Sequence, residues 1–151
     1  MRTVNGLEEL KGLVGQEIGV SDWHLVTQQE VNLFADATHD HQWIHVDPER
    51  CKRESPFGGP IAHGYYTLAL APALLGQILH VGGVRMGVNY GLNKMRLPSP
   101  VPVGSRFRLR ATVNACEPFP GGVNGTIGLT FEVEGQQKPA CVAEVIYRYY
   151  A

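Results

Sequence analysis

Asp40 and His45 stand five residues apart in the run His39-Asp40-His41-Gln42-Trp43-Ile44-His45. A carboxylate and an imidazole that close together in a loop-like segment can share one water, one group taking its proton while the other orients it or returns a proton. A Gly58-Gly59-Pro60 turn follows, and Ile61-Ala62-His63-Gly64 then opens the longest apolar run in the chain, IAHGYYTLALAPALLGQIL. The start of a buried helix carries unpaired N–H groups and a partial positive charge, which suit an oxygen that gains negative charge. An acid/base pair just upstream of such a helix start describes a site that moves protons while the helix end holds the charge that develops.

Each of these residues has a plainer reading. An arbitrary Asp/His pair is more often a loop cap and a hydrogen-bonded structural histidine; here the adjoining helix start favours chemistry. His39, His41 and His45 with Asp40 also suggest a metal set, but alternating histidines in an irregular loop rarely converge on one ion, so no metal is expected. His63 reads more readily as a buried histidine that fixes the loop by a hydrogen bond than as a reacting group. Tyr65 and Tyr66 either line the pocket or pack in the core.

The composition sets outer bounds. At 151 residues, with 44% hydrophobic and 18% charged residues, the chain reads as one folded domain with a sizeable core. A net charge of −1 gives no argument for nucleic acid or an anionic membrane. Cys51, Cys116 and Cys141 are odd in number and lack metal-like spacing, which points to reduced thiols. The first residues, MRTVNGLEELKGL, lack the basic start and apolar core of a signal peptide, so a cytoplasmic protein is expected. The apolar run is interrupted by His63, Pro72, Gly76 and Gln77, which disfavours a membrane span. No serine sits in a G-x-S-x-G elbow, and no Gly-rich phosphate loop is present.

The elements that must position the site follow from periodicity. Leu7, Leu10, Leu13 and Val14 share a helical face, and Gly15 ends that helix. Gln16 to Val26 reads as a strand with an irregularity at Ser21-Asp22. Thr27-Gln28-Gln29-Glu30 is a capping box for a helix running to Thr38. His39 to Val46 is expected as loop, and Asp47-Pro48 starts another helix. Residues 61–79 predict one long buried helix kinked by Pro72. Strands are then expected over Val84–Leu97, from Arg106, from Val123 and over Ala140–Tyr150, and short turns between them imply an antiparallel sheet. Strands of this number and one helix apolar nearly all round are accommodated most economically by a curved sheet wrapped around that helix.

These blocks resemble the MaoC-like branch of the hot-dog fold, which includes the (R)-specific enoyl-CoA hydratases and the nodulation-protein-N-like proteins. Asp40 to His45 match the hydratase pattern of Asp, four residues, His; Phe57 to Gly64 match the block that opens the hot-dog helix; Asn89 to Lys94 and Pro100 to Gly104 resemble the strand and turn beyond it. The likeness spans nearly the whole chain. It implies an α+β hot-dog domain over residues 1–151 and reversible addition of water to a trans-2-enoyl thioester, giving the (3R)-hydroxyacyl product. In that chemistry Asp40 and His45 activate water, the Gly64 backbone N–H holds the thioester oxygen, and Gln42, Trp43, His63, Tyr65 and Tyr66 border the substrate. Glycine at position 64 lets the thioester approach the backbone without a Cβ in the way. The implied partners are an acyl-CoA or acyl-carrier thioester and a second copy of the chain, with no metal or redox cofactor. Gln42-Trp43 replaces the common Asn-Pro, and His39 stands where a small residue is usual; both bear on substrate preference. The row Arg106, Arg108 and Arg110 reads as solvated, with contact to the CoA phosphates the lesser reading. Rival functions are a hot-dog acyl-CoA thioesterase, which the Asp/His spacing disfavours, and a non-catalytic acyl-thioester binder, against which Asp40, His45 and Gly64 together argue.

Overall fold

The computed structural model describes residues 1–151. In chain order its elements are β1 (Arg2–Asn5), α1 (Leu7–Lys11), β2 (Glu17–Val20), β3 (His24–Leu25), α2 (Gln28–Thr38), α3 (Trp43–Val46), α4 (Pro48–Glu54), α5 (Gly64–Ala69), α6 (Ala71–Ile78), β4 (Leu79–Gly82), β5 (Met86–Arg96), β6 (Arg106–Phe119), β7 (Gly122–Val133) and β8 (Cys141–Tyr150). The main sheet is antiparallel in the order β2-β6-β7-β8-β5, with β3 also on β6. Period-two alternation drives it: Phe107, Leu109, Ala111 and Val113 of β6 are buried, as are Ile127, Leu129 and Phe131 of β7, and they meet Leu74, Leu75 and Ile78 of α6 in one core. This is the expected hot-dog arrangement of a curved sheet around a central helix.

The opposite face of the sheet turns its polar residues outward. Arg108 and Arg110 both bond Glu132, at 2.9 and 2.8 Å, Arg110 also reaches Glu17 at 2.7 Å, and Arg106 pairs with Glu134. The arginine row is therefore neutralised across the strands rather than held free for phosphates.

Several boundaries differ from the sequence expectation, each for a local reason. The strand expected over Gln16–Val26 is broken because the Ser21 hydroxyl accepts the Leu109 N–H at 2.9 Å and replaces a backbone partner. The central helix begins at Gly64, not Ile61. Ile61 bridges Pro102, and the Ala62 N–H donates to the Val101 carbonyl at 2.8 Å, so those two residues are extended. The helix also divides at Leu70, whose N–H is shared between the carbonyls of Tyr66 and Thr67 at 3.2 and 3.3 Å, just ahead of Pro72, which lacks an N–H for this ladder. It ends at Ile78, because Leu79 enters β4, which pairs in parallel with β1. Neither four-residue strand is long enough to declare a period.

The segment leading to the site is capped at both ends. The Thr27 hydroxyl accepts the Glu30 N–H at 3.1 Å, and Asp47 accepts the Arg50 N–H at 3.0 Å. Between them, residues 43–46 form the short helix α3 where loop was expected. α2 stops at His39, which holds φ 63° and is the one non-glycine residue with positive φ. Helices commonly end on such a left-handed residue, most often glycine, and a side chain there costs about 1 kcal/mol. His39→Gly is accordingly expected to raise unfolding stability by about 1 kcal/mol, read from the shift in urea midpoint at unchanged slope.

Candidate active site

The turn after α2 delivers Asp40, whose Oδ1 accepts the Gln42 N–H at 3.3 Å and whose side chain stays half-exposed. α3 then carries His45 inward to 7% exposure. His45 Nδ1 lies 2.7 Å from the Ile61 carbonyl oxygen. A carbonyl only accepts, so Nδ1 bears the proton and Nε2 is left with the lone pair. Burial is the main cause that draws the His45 pKa below its ordinary value; the nearby His63 acts in the same direction, while the Ile61 carbonyl and the Asp40 charge oppose it.

His63, 3% exposed, lies against this pair. Its ring stacks on His45 with centroids 3.9 Å apart, and its Nε2–H donates to the Asp40 carbonyl at 3.0 Å. His63 thus fixes the loop that carries Asp40. One donor atom from each of Asp40, His45 and His63 lies within 4.8 Å of the others. Two hydrogen bonds to one water span that separation. A metal ion fits less well, since two stacked imidazoles place their in-plane lone pairs side by side rather than converging.

A cavity of about 270 Å³ adjoins His45, lined also by Phe57, Gly64, Thr67 and Leu97 among others. Gly64 forms the first residue of α5, and a Cβ built on it would overlap the Leu97 side chain. A groove of about 510 Å³ runs between α5 and β5, lined by Tyr65, Leu68, Tyr90 and Leu92.

Of the residues picked from sequence, Asp40, His45, His63 and Gly64 come together here. Tyr65, 71% exposed, lines the α5–β5 groove. Tyr66 turns the other way: it is buried, with its hydroxyl 3.1 Å from His24 Nε2, and burial and Glu30 push its pKa up. Gln42 and Trp43 do not line the cavity; the Trp43 ring lies under the Arg50 guanidinium, 4.3 Å from its centroid. Sequence reading missed Phe57, Thr67 and Leu97. The three-residue step from Gly64 places Thr67 on the same helical face and was the available signal. Leu97 carries no sequence signal, because only the return of the chain from β5 brings it over Gly64.

The fold is the hot-dog, and it holds an Asp/His pair beside a helix start. Residues 9–134 match the family described as MaoC like domain, and the chain belongs to the MaoC-like dehydratase family. It is 55% identical over 152 residues to 3-hydroxyacyl-thioester dehydratase Z of Mycobacterium tuberculosis, covering 100% of both chains. It is also 44% identical over 147 residues to Nodulation protein N of Rhizobium meliloti, covering 93% of this chain and 88% of that one. A solved structure of a monoamine oxidase regulatory protein from Archaeoglobus shares the fold at TM-score 0.81 and 23% identity, over 99% and 96% of the two chains.

The contact at Gly64 yields a direct expectation. Gly64→Ala should leave the melting temperature within a few degrees, since the half-exposed Leu97 tip can turn aside, yet cut turnover at least tenfold because the displaced Leu97 reshapes the cavity that both residues line. Parallel thermal melts and steady-state kinetics of the two proteins check this.

Proposed function

We propose that the chain is an (R)-specific enoyl-thioester hydratase, working reversibly between a trans-2-enoyl-CoA or enoyl-carrier thioester and its (3R)-hydroxyacyl partner. One observation carries the reading: the Asp40 carboxylate and the His45 ring come within 4.8 Å of each other, with the His45 tautomer fixed by Ile61, beside a glycine that opens a helix. The name of the mycobacterial relative, a 3-hydroxyacyl-thioester dehydratase, describes the same reaction written in the opposite direction.

In hydration, Asp40 and His45 hold the water at C3. One removes its proton and the pair returns a proton to C2, help that is typically worth about 10²–10⁴ in rate. The two groups interact and share the role. The Gly64 N–H donates to the thioester oxygen as the enolate develops, an interaction worth about 10²–10³ in rate per donor. The reaction as written calls on no metal or redox group. Three unpaired thiols agree with a reducing, cytoplasmic setting. No helix is long and apolar enough to cross a membrane.

The assay is loss of the conjugated thioester absorbance of crotonyl-CoA and of a longer enoyl-CoA, with a parallel test for free thiol. Absorbance loss without thiol is expected; thiol release would mean a thioesterase, and no change with either substrate a binding protein. Asp40→Asn and His45→Gln should each lower turnover at least 10²-fold while the fold persists. Near-normal rates in both would remove the site assignment.

The pH profile follows from the direction of the His45 shift. Catalysis needs neutral Nε2, and its folded pKa lies below the ordinary 6.5, so activity should hold through that value and fall only on further acidification. Removing the Asp40 charge takes away an influence that raises that pKa, so any residual activity of Asp40→Asn should show its acid limb at lower pH.

The same reading includes a homodimer. β5 is an edge strand of 11 residues whose free side carries no partner, and Met86, Val88, Tyr90 and Leu92 along it are exposed apolar residues. A second copy pairing edge to edge would cover them. Light scattering should give twice the chain mass, and Val88→Lys should return it to the monomer value.

A further inference from the structure

We infer that the Thr67 hydroxyl is a further substrate-binding group of this site, hydrogen-bonded to the oxygen at C3 of the acyl chain. The inference rests on the hydratase reading above and adds a contact to it. Thr67 lines the same cavity as His45 and Gly64. Its residue is 1% exposed, and its Oγ1 has no hydrogen-bond partner.

A hydroxyl sealed from water without a partner costs about 1–3 kcal/mol, whereas valine would fill the same space at no such cost. Threonine inside a helix ordinarily relieves this by donating to the carbonyl one turn back. Here that carbonyl belongs to His63, and it is occupied by backbone instead, accepting the N–H groups of Tyr66 at 3.1 Å and Thr67 at 3.4 Å. The hydroxyl, sealed in this structure, is therefore left for a group that enters the cavity and displaces the lining over it.

The spacing suits a thioester that carries oxygen at C3. Gly64 and Thr67 are neighbours on one helical face, with side-chain origins about 5–6 Å apart. The thioester oxygen placed on the Gly64 N–H leaves C3 and its oxygen further along that face, next to His45. A hydroxyl both donates and accepts, so Thr67 can hold the incoming water in one direction and the departing hydroxyl in the other.

The test separates this contact from the reaction itself. In an Asp40→Asn background, where turnover is expected to be at least 10²-fold slower, calorimetry compares (3R)-3-hydroxybutyryl-CoA with butyryl-CoA for Thr67, Thr67→Val and Thr67→Ser. With threonine the hydroxylated ligand should bind roughly tenfold tighter, with valine the preference should vanish, and with serine it should return. Thr67→Val should melt no lower than its parent, since it removes an unpaired polar group. A preference undiminished in Thr67→Val would overturn the inference, and a lower melting temperature alongside it would assign the hydroxyl to the fold. If the unmutated chain fails to hydrate crotonyl-CoA but the Thr67-dependent preference stands, the reaction is wrong and the contact right. If neither ligand binds, both fall.

Discussion

The site depends on the bond from His45 Nδ1–H to the Ile61 carbonyl, 2.7 Å long. It sets the tautomer of the only fully buried member of the Asp40–His45 pair. It also ties α3 to the stretch that leads into the central helix. The next residue, Ala62, is itself held to Val101, and Gly64 begins α5 two residues later. The proton-handling nitrogen and the backbone N–H of Gly64 are thus connected through three residues of fixed chain. That short mechanical link matters because a misplacement on the order of 1 Å in such a constellation costs about 10²-fold in rate.

Around this bond the protein keeps two buried imidazoles in contact, which is tolerable only if they are not both charged. His45 is buried and its ionised form is disfavoured, while His63 uses its Nε2–H to hold the Asp40 carbonyl. The folded state therefore prefers neutral His45. Its contribution to stability is present above the unfolded pKa of about 6.5 and is lost as pH falls through the lower folded value. The same burial that protects the base from protonation near neutrality makes the loop an acid-sensitive part of the fold.

Much of this was legible in the sequence because it depends on local chemistry. The Thr27 cap, the Asp47-Pro48 start and the alternation of β6 and β7 are each decided by residues a few positions apart, although Glu30 turns to His24 instead of closing the capping box. The nearness of Asp40 to His45, and the helix start close to Gly64, were legible for the same reason. What escaped reading depends on partners distant in the chain. Ser21 breaks a strand because Leu109 lies opposite; β1 exists because β4 comes to its side; Leu97 covers Gly64 because β5 returns there. Gln42 and Trp43 were placed beside the substrate by the family resemblance, yet they do not line the cavity and Arg50 one helix later takes up the Trp43 face. Arg106, Arg108 and Arg110 read as a basic row until β2 and β7 bring glutamates across from them.

β5 supplies one wall of the groove beside α5 and is at the same time the open margin of the sheet. Tyr90 and Leu92 belong to both, lining the groove and standing among the exposed apolar residues of that margin. Filling either one changes the free energy of filling the other, and thermodynamic reciprocity makes the two effects equal. Occupancy by a ligand and self-association would then be linked equilibria, so the apparent affinity for one should vary with the concentration of protein used to measure it.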